Sequence, residues 1–374
     1  MSPVGVSVRS GTLAAVPDPA VPDPAVPDPA VPDPAVPDPA VPDPAVPDVS
    51  SALTEAPVLA HLIRGGVVES VHRGTVVVTA PDGSVQWALG DPSGPVFARS
   101  ANKPIQASAM VRAGLDLPHR LLALACASHS GEPFHLEGAS AILASAGRGE
   151  SDLQNTPAYP IDEAEHDAWL RSGRPPSSLA QNCSGKHAAM IATCVAGGWD
   201  VETYRDPDHP LQRHITQVIA ELSGEPVAAV AVDGCGAPAH AYALTGLARA
   251  FGRVAASSDT APGTAEGRIA AAVRAEPAYL GGTHRQVSTL VREAGPTYGL
   301  IAKDGAESVY AVGLGDGRGV AVKIADGSPR ATPVVLAAVL RRLGLTAPTA
   351  FTELEDAPVL GHGEPVGALV AVGV

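Results

Sequence analysis

The sequence predicts an α+β fold in which strands from both ends of the folded region form one antiparallel sheet and helices from its middle cover that sheet. Three observations carry this. Residues 58–99 are dense in β-branched residues broken by turn signals. Residues 103 to about 290 read as helices joined by loops. Residues 300–324 return to β character, and a closing helix follows over Thr332–Leu343 with apolar spacing suited to a sheet face.

Taken in order, the chain begins with a segment that folds into neither. Residues 15–48 are six copies of Ala-Val-Pro-Asp-Pro and a truncated seventh. Proline at this density removes helix and ladder donors, so residues 1–51 are expected to form an extended, disordered acidic arm, with the folded domain over 52–374. In the N-terminal β region, Val67–His72 and Thr75–Thr79 read as strands separated by Arg73-Gly74. Pro81-Asp82-Gly83-Ser84 turns into a third strand, Val85–Leu89, and Pro95–Ala98 is strand-like. Helices are expected over Ile105–Ala113, Pro118–Ala127, Pro133–Ala146, Glu163–Ser172, Gly185–Ala196, Pro210–Leu222, Ala239–Phe251, Thr264–Ala275 and Gly282–Ala294. At the C-terminal end Leu300–Lys303 and Ser308–Gly313 form a hairpin about Asp304–Glu307, and Val320–Ile324 follows another Gly-rich turn.

Charge narrows the function. The net charge is −14, but seven of the 39 acidic residues and one of the 25 basic ones lie in residues 1–48, which leaves −8 on the rest. A mildly acidic body lacks the basic footprint that nucleic acid or an anionic membrane surface requires. No apolar run reaches the length of a membrane span, and Val4–Val16 lacks the compact apolar core of a secretion signal. Four cysteines without a C-x-x-C pair do not make a disulfide framework, so the expected setting is the reduced cytoplasm.

Four stretches carry candidate chemistry. Arg99-Ser100-Ala101-Asn102-Lys103-Pro104 is an S-x-x-K arrangement at a strand-to-helix transition. Ser100 and Lys103 lie one turn apart on one face, so the amine can take the hydroxyl proton, provided burial or a second cation keeps it neutral part of the time. By itself the motif also reads as an N-cap serine beside an exposed lysine. Ser128-His129-Ser130-Gly131-Glu132 places two hydroxyls, an imidazole and a carboxylate at the end of a helix, as either a capping loop or a catalytic one. Asn182-Cys183-Ser184-Gly185-Lys186-His187 opens a helix, and Asp233-Gly234-Cys235-Gly236 is a Gly-rich turn. The two cysteines, flanked by His187 and Asp233, are candidates for a soft or borderline cation or for plain core packing; Cys126 and Cys194 read as core. Lys303-Asp304-Gly305, at a strand end, completes the order S-x-x-K, S-x-S, K-x-G that Ser-Lys hydrolases use.

Together, R-S-x-x-K-P, C-x-S-H-x-x-E, N-C-S-G-K-H, D-G-C-G-x-P and K-x-G-A-E resemble the rhizobial-type (class 3, thermolabile) L-asparaginases over about residues 54–370. The resemblance implies a serine-β-lactamase-like fold related to the serine glutaminases, and a homodimeric amidohydrolase acting on L-asparagine. It implies that Ser100 and Lys103 form a nucleophile–base pair and that Ser128, or less readily Ser130, joins Lys303 as a second Ser-Lys pair. Cys183, Lys186 and Cys235 would hold zinc with Asp233 close by, and Arg99, His187, Asp233 and Ser130 would line the substrate pocket. One departure stands out: Ser308 occupies the place of a glycine, so the turn after Lys303 is expected to close differently. Two other functions remain open on the residues alone, a β-lactamase-related esterase or peptidase and a non-catalytic zinc-stabilised binding protein.

Overall fold

The computed structural model describes residues 53–374, so the repeat arm and its boundary lie outside the described residues. The chain enters through three antiparallel strands, β1 (Val58–Arg64), β2 (Val67–Thr79) and β3 (Val85–Leu89), and a short β4 (Pro95–Phe97). A 3-10 turn, Arg99–Asn102, leads into the helical block: α1 (Lys103–Arg112), α2 (His119–Ala125), α3 (Pro133–Ser145), α4 (Glu163–Arg171), α5 (Ser184–Gly197) and α6 (Pro210–Ser223). Strands β5 (Ala229–Val232) and β6 (Pro238–Ala243) interrupt it before α7 (Leu244–Thr260), α8 (Ala265–Ala275), α9 (Pro277–Leu280) and α10 (Gln286–Tyr298). The chain then returns to β with β7 (Ile301–Gly305), β8 (Val309–Gly313) and β9 (Gly319–Ile324), and closes with α11 (Ala331–Arg342), α12 (Pro348–Glu355), β10 (Pro358–Gly361) and β11 (Glu364–Ala371).

The main sheet runs β10-β11-β1-β2-β9-β8-β7, with β3 paired to the second half of β2, and every pairing is antiparallel. N- and C-terminal strands therefore interleave at β1–β11 and β2–β9, as the sequence leads one to expect. A smaller sheet, β4-β6-β5, lies outside it. Helix α7 packs on β2, β8 and β9, and two glycines make its seat. Gly313 and Gly319 are cross-strand partners, and a Cβ on either would run into the backbone carbonyl of Phe251 or Ala248.

Beyond the elements that the sequence reading does not include (β5, α9, α12, β10 and β11), the structure departs from it in three places. Val67–Thr79 is one continuous strand, and Arg73-Gly74 is no turn. Gly74 is required because the Lys323 carbonyl of β9 passes where its Cβ would sit. Pro238–Ala243 is a fully buried strand, so the helix expected from Ala239 begins only at Leu244. Pairing with β4 on one side and β5 on the other overrides the helix propensity of this Ala-rich run. The last-third helix starts at Gln286, four residues late, because Gly281 and Gly282 are held in a loop against Ser130.

Candidate active site

The 3-10 turn places the first motif. Arg99 sits in the left-handed region at φ 48°, an unusual conformation for a non-glycine residue and a form of stored strain. Its guanidinium is tied to Asp233 Oδ1 through Nε at 3.1 Å and Nη2 at 2.8 Å, so the turn is clamped to the Asp233–Cys235 loop. Ser100 follows, partly exposed, and its hydroxyl has no hydrogen-bond partner among the described residues. The turn abuts the end of β7: a Cβ on Gly305 would lie 2.9 Å from the Ala101 amide nitrogen and 3.1 Å from the Ala98 carbonyl oxygen. The glycine of K-x-G is thus what lets the Lys303 strand lie against the Ser100 turn.

Lys103, first residue of α1, is 1% exposed. Its Nζ donates to the Ala127 carbonyl at 2.5 Å, to Ser128 Oγ at 2.9 Å and to Cys183 Sγ at 3.2 Å. The serine–lysine hydrogen bond actually formed is therefore Lys103–Ser128. Neither expected pairing, Ser100 with Lys103 or Ser128 with Lys303, is made as a hydrogen bond. The reason is reach: the long lysine stem carries the amine past its own turn to the loop that follows α2. That loop is stitched down by amide donation from Ser128 to Leu280, from His129 to Asn182 and from Ser130 to Gly281.

Lys303 is fully buried and donates to its neighbour Asp304, at 2.7 Å to the carbonyl and 2.5 Å to Oδ1. Asp304 Oδ2 in turn accepts from Arg285 Nη2 at 2.6 Å. Burial, with help from the nearby charge of Lys103 and against the pull of Asp304, brings the Lys303 amine down to about 8. Asp304 itself is held below the usual carboxylate range: the ammonium of Lys303 and the guanidinium of Arg285 outweigh the effect of burial. Burial pushes the Cys126 thiol up to about 12, against the opposing charges of Lys303 and Lys103.

The two cysteine stretches meet at the same place. Cys183 stands at the N-cap position of α5 and Cys235 in the turn after β5; the neighbouring Cys235 sulfur and burial push the Cys183 thiol up, and the Cys183 sulfur with the Lys186 ammonium holds Cys235 down. Lys186 Nζ lies 3.2 Å from Cys235 Sγ, and that anion raises the lysine above its ordinary value despite burial. The donor set of two soft sulfurs and one nitrogen fits a borderline cation. Among the described residues no group of three or more His, Cys, Asp or Glu side chains could hold a metal, and the Lys186 nitrogen could serve as a third donor only after losing its proton.

The remaining expected residues are less open than the sequence suggests. His187 is fully buried beside Lys186; its Nδ1 meets Tyr204 Oη at 2.7 Å, and its Nε2 is buried without a partner. Burial and the adjacent ammonium of Lys186 keep that ring neutral. Ser130 donates to Glu132 Oε2 at 2.7 Å, and Glu132 also accepts from the Thr283 amide and hydroxyl, so this hydroxyl belongs to a loop clasp and makes no hydrogen bond to either lysine. Sequence reasoning missed Asp304 and Arg285 as the partners that set the charge of Lys303. Asp304 lay in plain view inside K-D-G, but Arg285, from the loop before α10, left no local signal.

The turn after Lys303 also differs from expectation in an informative way. Ser308 keeps the left-handed conformation its glycine counterpart would adopt, at φ 58°, next to Glu307 at the same angle. Its hydroxyl offsets part of that strain by bonding the Ser328 carbonyl at 2.6 Å and the Thr332 hydroxyl. The hairpin register continues undisturbed from Lys303↔Ala311.

Comparison with known proteins places the chain among the amidohydrolases, enzymes that take a small-molecule amide as substrate. The family model described as L-asparaginase II matches residues 60–371, and the chain belongs to that family. No curated protein matches it. Among solved structures it is similar to Mglu in its native form (TM-score 0.40, 13% identity, 80% of this chain and 71% of that one). It is similar also to a Mycobacterium bovis β-lactamase (TM-score 0.34, 14% identity, 79% and 99%) and to a Bacillus glutaminase (TM-score 0.34, 11% identity, 73% and 91%). Among the described residues no helix is long and apolar enough to cross a membrane.

Proposed function

We propose that the protein hydrolyses L-asparagine to L-aspartate and ammonia. The observation that carries this reading is the meeting of three distant motifs at one amine: Lys103 Nζ touches Ser128 Oγ and Cys183 Sγ, and its charge is felt at Lys303. In this reading Ser100 Oγ attacks the side-chain amide carbon while Lys103 accepts the hydroxyl proton. N–H groups at the start of the helix hold the oxyanion. Ser128, 2.9 Å from Lys103 Nζ, returns the proton to the amide nitrogen as the C–N bond breaks and ammonia leaves. Water, giving up a proton by the reverse route, then opens the acyl ester and frees the carboxylate. Lys303 supplies a cation for the substrate carboxylate, and Arg99 with Asp233 fixes the turn that presents Ser100.

In this reading Cys183, Lys186 and Cys235 would hold zinc, which when bound would supply a fixed positive charge at this cluster. The same reading makes the enzyme a cytoplasmic homodimer, which sedimentation and fractionation test. The test of the reaction itself is ammonia release by the purified protein from L-asparagine and L-glutamine, with and without a chelator. Ammonia from asparagine, lost in Ser100→Ala with the fold intact, supports it; wild-type rates in that variant remove Ser100 as nucleophile, and nitrocefin cleavage without ammonia release favours the esterase or peptidase reading. The Lys103–Ser128 bond favours a second assignment within the same reaction, with Ser128 attacking. Trapping the acyl-enzyme and locating it by peptide mass spectrometry separates the two.

A further inference from the structure

Strand β9 reads Gly-Val-Ala-Val-Lys-Ile and is buried from end to end, so Lys323 places an ammonium in an otherwise apolar strand. The site described above gives it no task. Its Nζ donates to two backbone carbonyls, Glu307 at 2.5 Å and Ile324 at 2.7 Å, and among the described residues no carboxylate lies within ion-pair distance. Burial lowers the amine below the ordinary lysine value against the charges of Glu307 and Asp326, and the guanidinium of Arg99 lowers it further. Burying a cation on carbonyls alone costs stability that an apolar side chain of equal length would not, so packing does not call for lysine here. What the amine holds is a strained turn. Glu307 and Ser308 are consecutive non-glycine residues in the left-handed region, each at φ 58°. The Ser308 hydroxyl pins one of them to Ser328 and Thr332, and Lys323 pins the other through its carbonyl. This turn ends the Lys303 strand and packs on the 3-10 turn that carries Ser100. Lys323 also lines a narrow cleft with Gly94, Pro95 and Val96, which lead into that same 3-10 turn.

We propose that Lys323 is a positioning residue for the hydrolytic site: by holding the Glu307 carbonyl it keeps the turn after Lys303 in its left-handed form, and so fixes the spacing between Lys303 and Ser100. In this role it touches no substrate, and its charge serves as a strong donor to one carbonyl. The inference rests on the reading of Ser100 and Lys303 as groups of one active site, and one of its tests needs no turnover.

The experiment compares the wild type with Lys323→Met, Glu307→Gly and the double variant, each as the full chain. Lys323→Met is expected to lower kcat for ammonia release about tenfold, the effect of a shift of several tenths of an ångström, and to change KM less than kcat. Its urea midpoint is expected to stay at or above the wild-type value, an outcome that a merely structural lysine would not give. Glycine takes φ 58° without strain. Glu307→Gly should therefore keep wild-type turnover and, added to Lys323→Met, restore kcat about threefold or more. Hydrogen–deuterium exchange reads the same geometry without substrate. Amides in 99–102 and 305–309 should exchange about tenfold faster in Lys323→Met, while those of β1 and α7 stay unchanged. Wild-type kcat in Lys323→Met, a rise in KM alone, no rescue by Glu307→Gly, or unchanged exchange in both segments would each overturn the proposal. Absence of ammonia release from the wild type would instead overturn the asparaginase reading, and the exchange measurement would then decide the role of Lys323.

Discussion

Gly305→Ala puts the contact between the Lys303 strand and the Ser100 turn under direct test. Gly305 has an extended backbone at φ −136°, ψ 158°, which alanine adopts freely, so no conformational penalty attaches to the change. Restricting the unfolded chain would by itself stabilise the protein by roughly 0.5 kcal/mol. Against this, the new Cβ would lie 2.9 Å from Ala101 N, 3.1 Å from Ala98 O and 3.4 Å from Ala101 Cβ. Two of the three are backbone atoms of a turn that Arg99 and Asp233 hold in place, so the strand and turn must part by several tenths of an ångström. Overpacking of this kind costs about 1–3 kcal/mol, and the net expectation is a destabilisation of about 1–2 kcal/mol. The displacement also opens the space between Ser100 and Lys303; with a 1 Å misplacement worth about a hundredfold, a shift of several tenths of an ångström should lower turnover by roughly tenfold. Urea denaturation and steady-state ammonia release measure the two quantities. An alanine variant with the wild-type midpoint and wild-type kcat would refute the reasoning, since it would mean that the turn and strand are not in register contact.

Further outcomes follow from the charges and the strained turn. Lys303, at about 8 in the fold against 10.5 when unfolded, carries a burial penalty that is complete below pH 8 and fades as pH rises to 10.5. The unfolding free energy of the wild type minus that of Lys303→Met should therefore shift in favour of the wild type by about 3 kcal/mol between pH 7 and pH 10.5; a flat difference in urea titrations would contradict it. If Lys303 acts as a cation, kcat/KM should fall above about pH 8, and a rate still climbing through pH 9 would count against that role. Cys235→Ser removes the anion beside the buried Lys186 ammonium and should destabilise the metal-free protein by about 3 kcal/mol. Adding Lys186→Met should recover much of that loss, whereas simple additivity in the double-mutant cycle would show that the pair is not coupled. Ser308→Gly trades relief of the left-handed strain against two lost hydrogen bonds and should change stability by less than about 1 kcal/mol. Ser308→Ala, which keeps the strain and loses the bonds, should cost about 1–2 kcal/mol more than the glycine in thermal unfolding.

The order of the elements was legible in the chain because each has its own local signature. β-branched runs mark β2 and β9, Pro-led or capped amphipathic stretches mark α6 and α8, and apolar spacing marks α11. Residues 238–243 misled for the same reason: their alanines favour a helix in isolation, and only a partner strand on each side makes them β6. Strands β10 and β11 went unread because they are mostly exposed and lack the alternation that burial on one face imposes.

Of the site, the sequence by itself determined the chemical groups: the serines at 100 and 128, the lysines at 103, 186 and 303, and the cysteines at 183 and 235. Which group touches which was decided only by the tertiary structure. Lysine stems long enough to leave their own turn, and thiols brought from positions 52 residues apart in number, find partners set by packing rather than by spacing. So Lys103 meets Ser128 and not Ser100, Lys303 meets Asp304, and Arg285 enters unannounced. The charges of these buried groups depend on those neighbours and on the loss of water around them, and neither exists until the chain has folded.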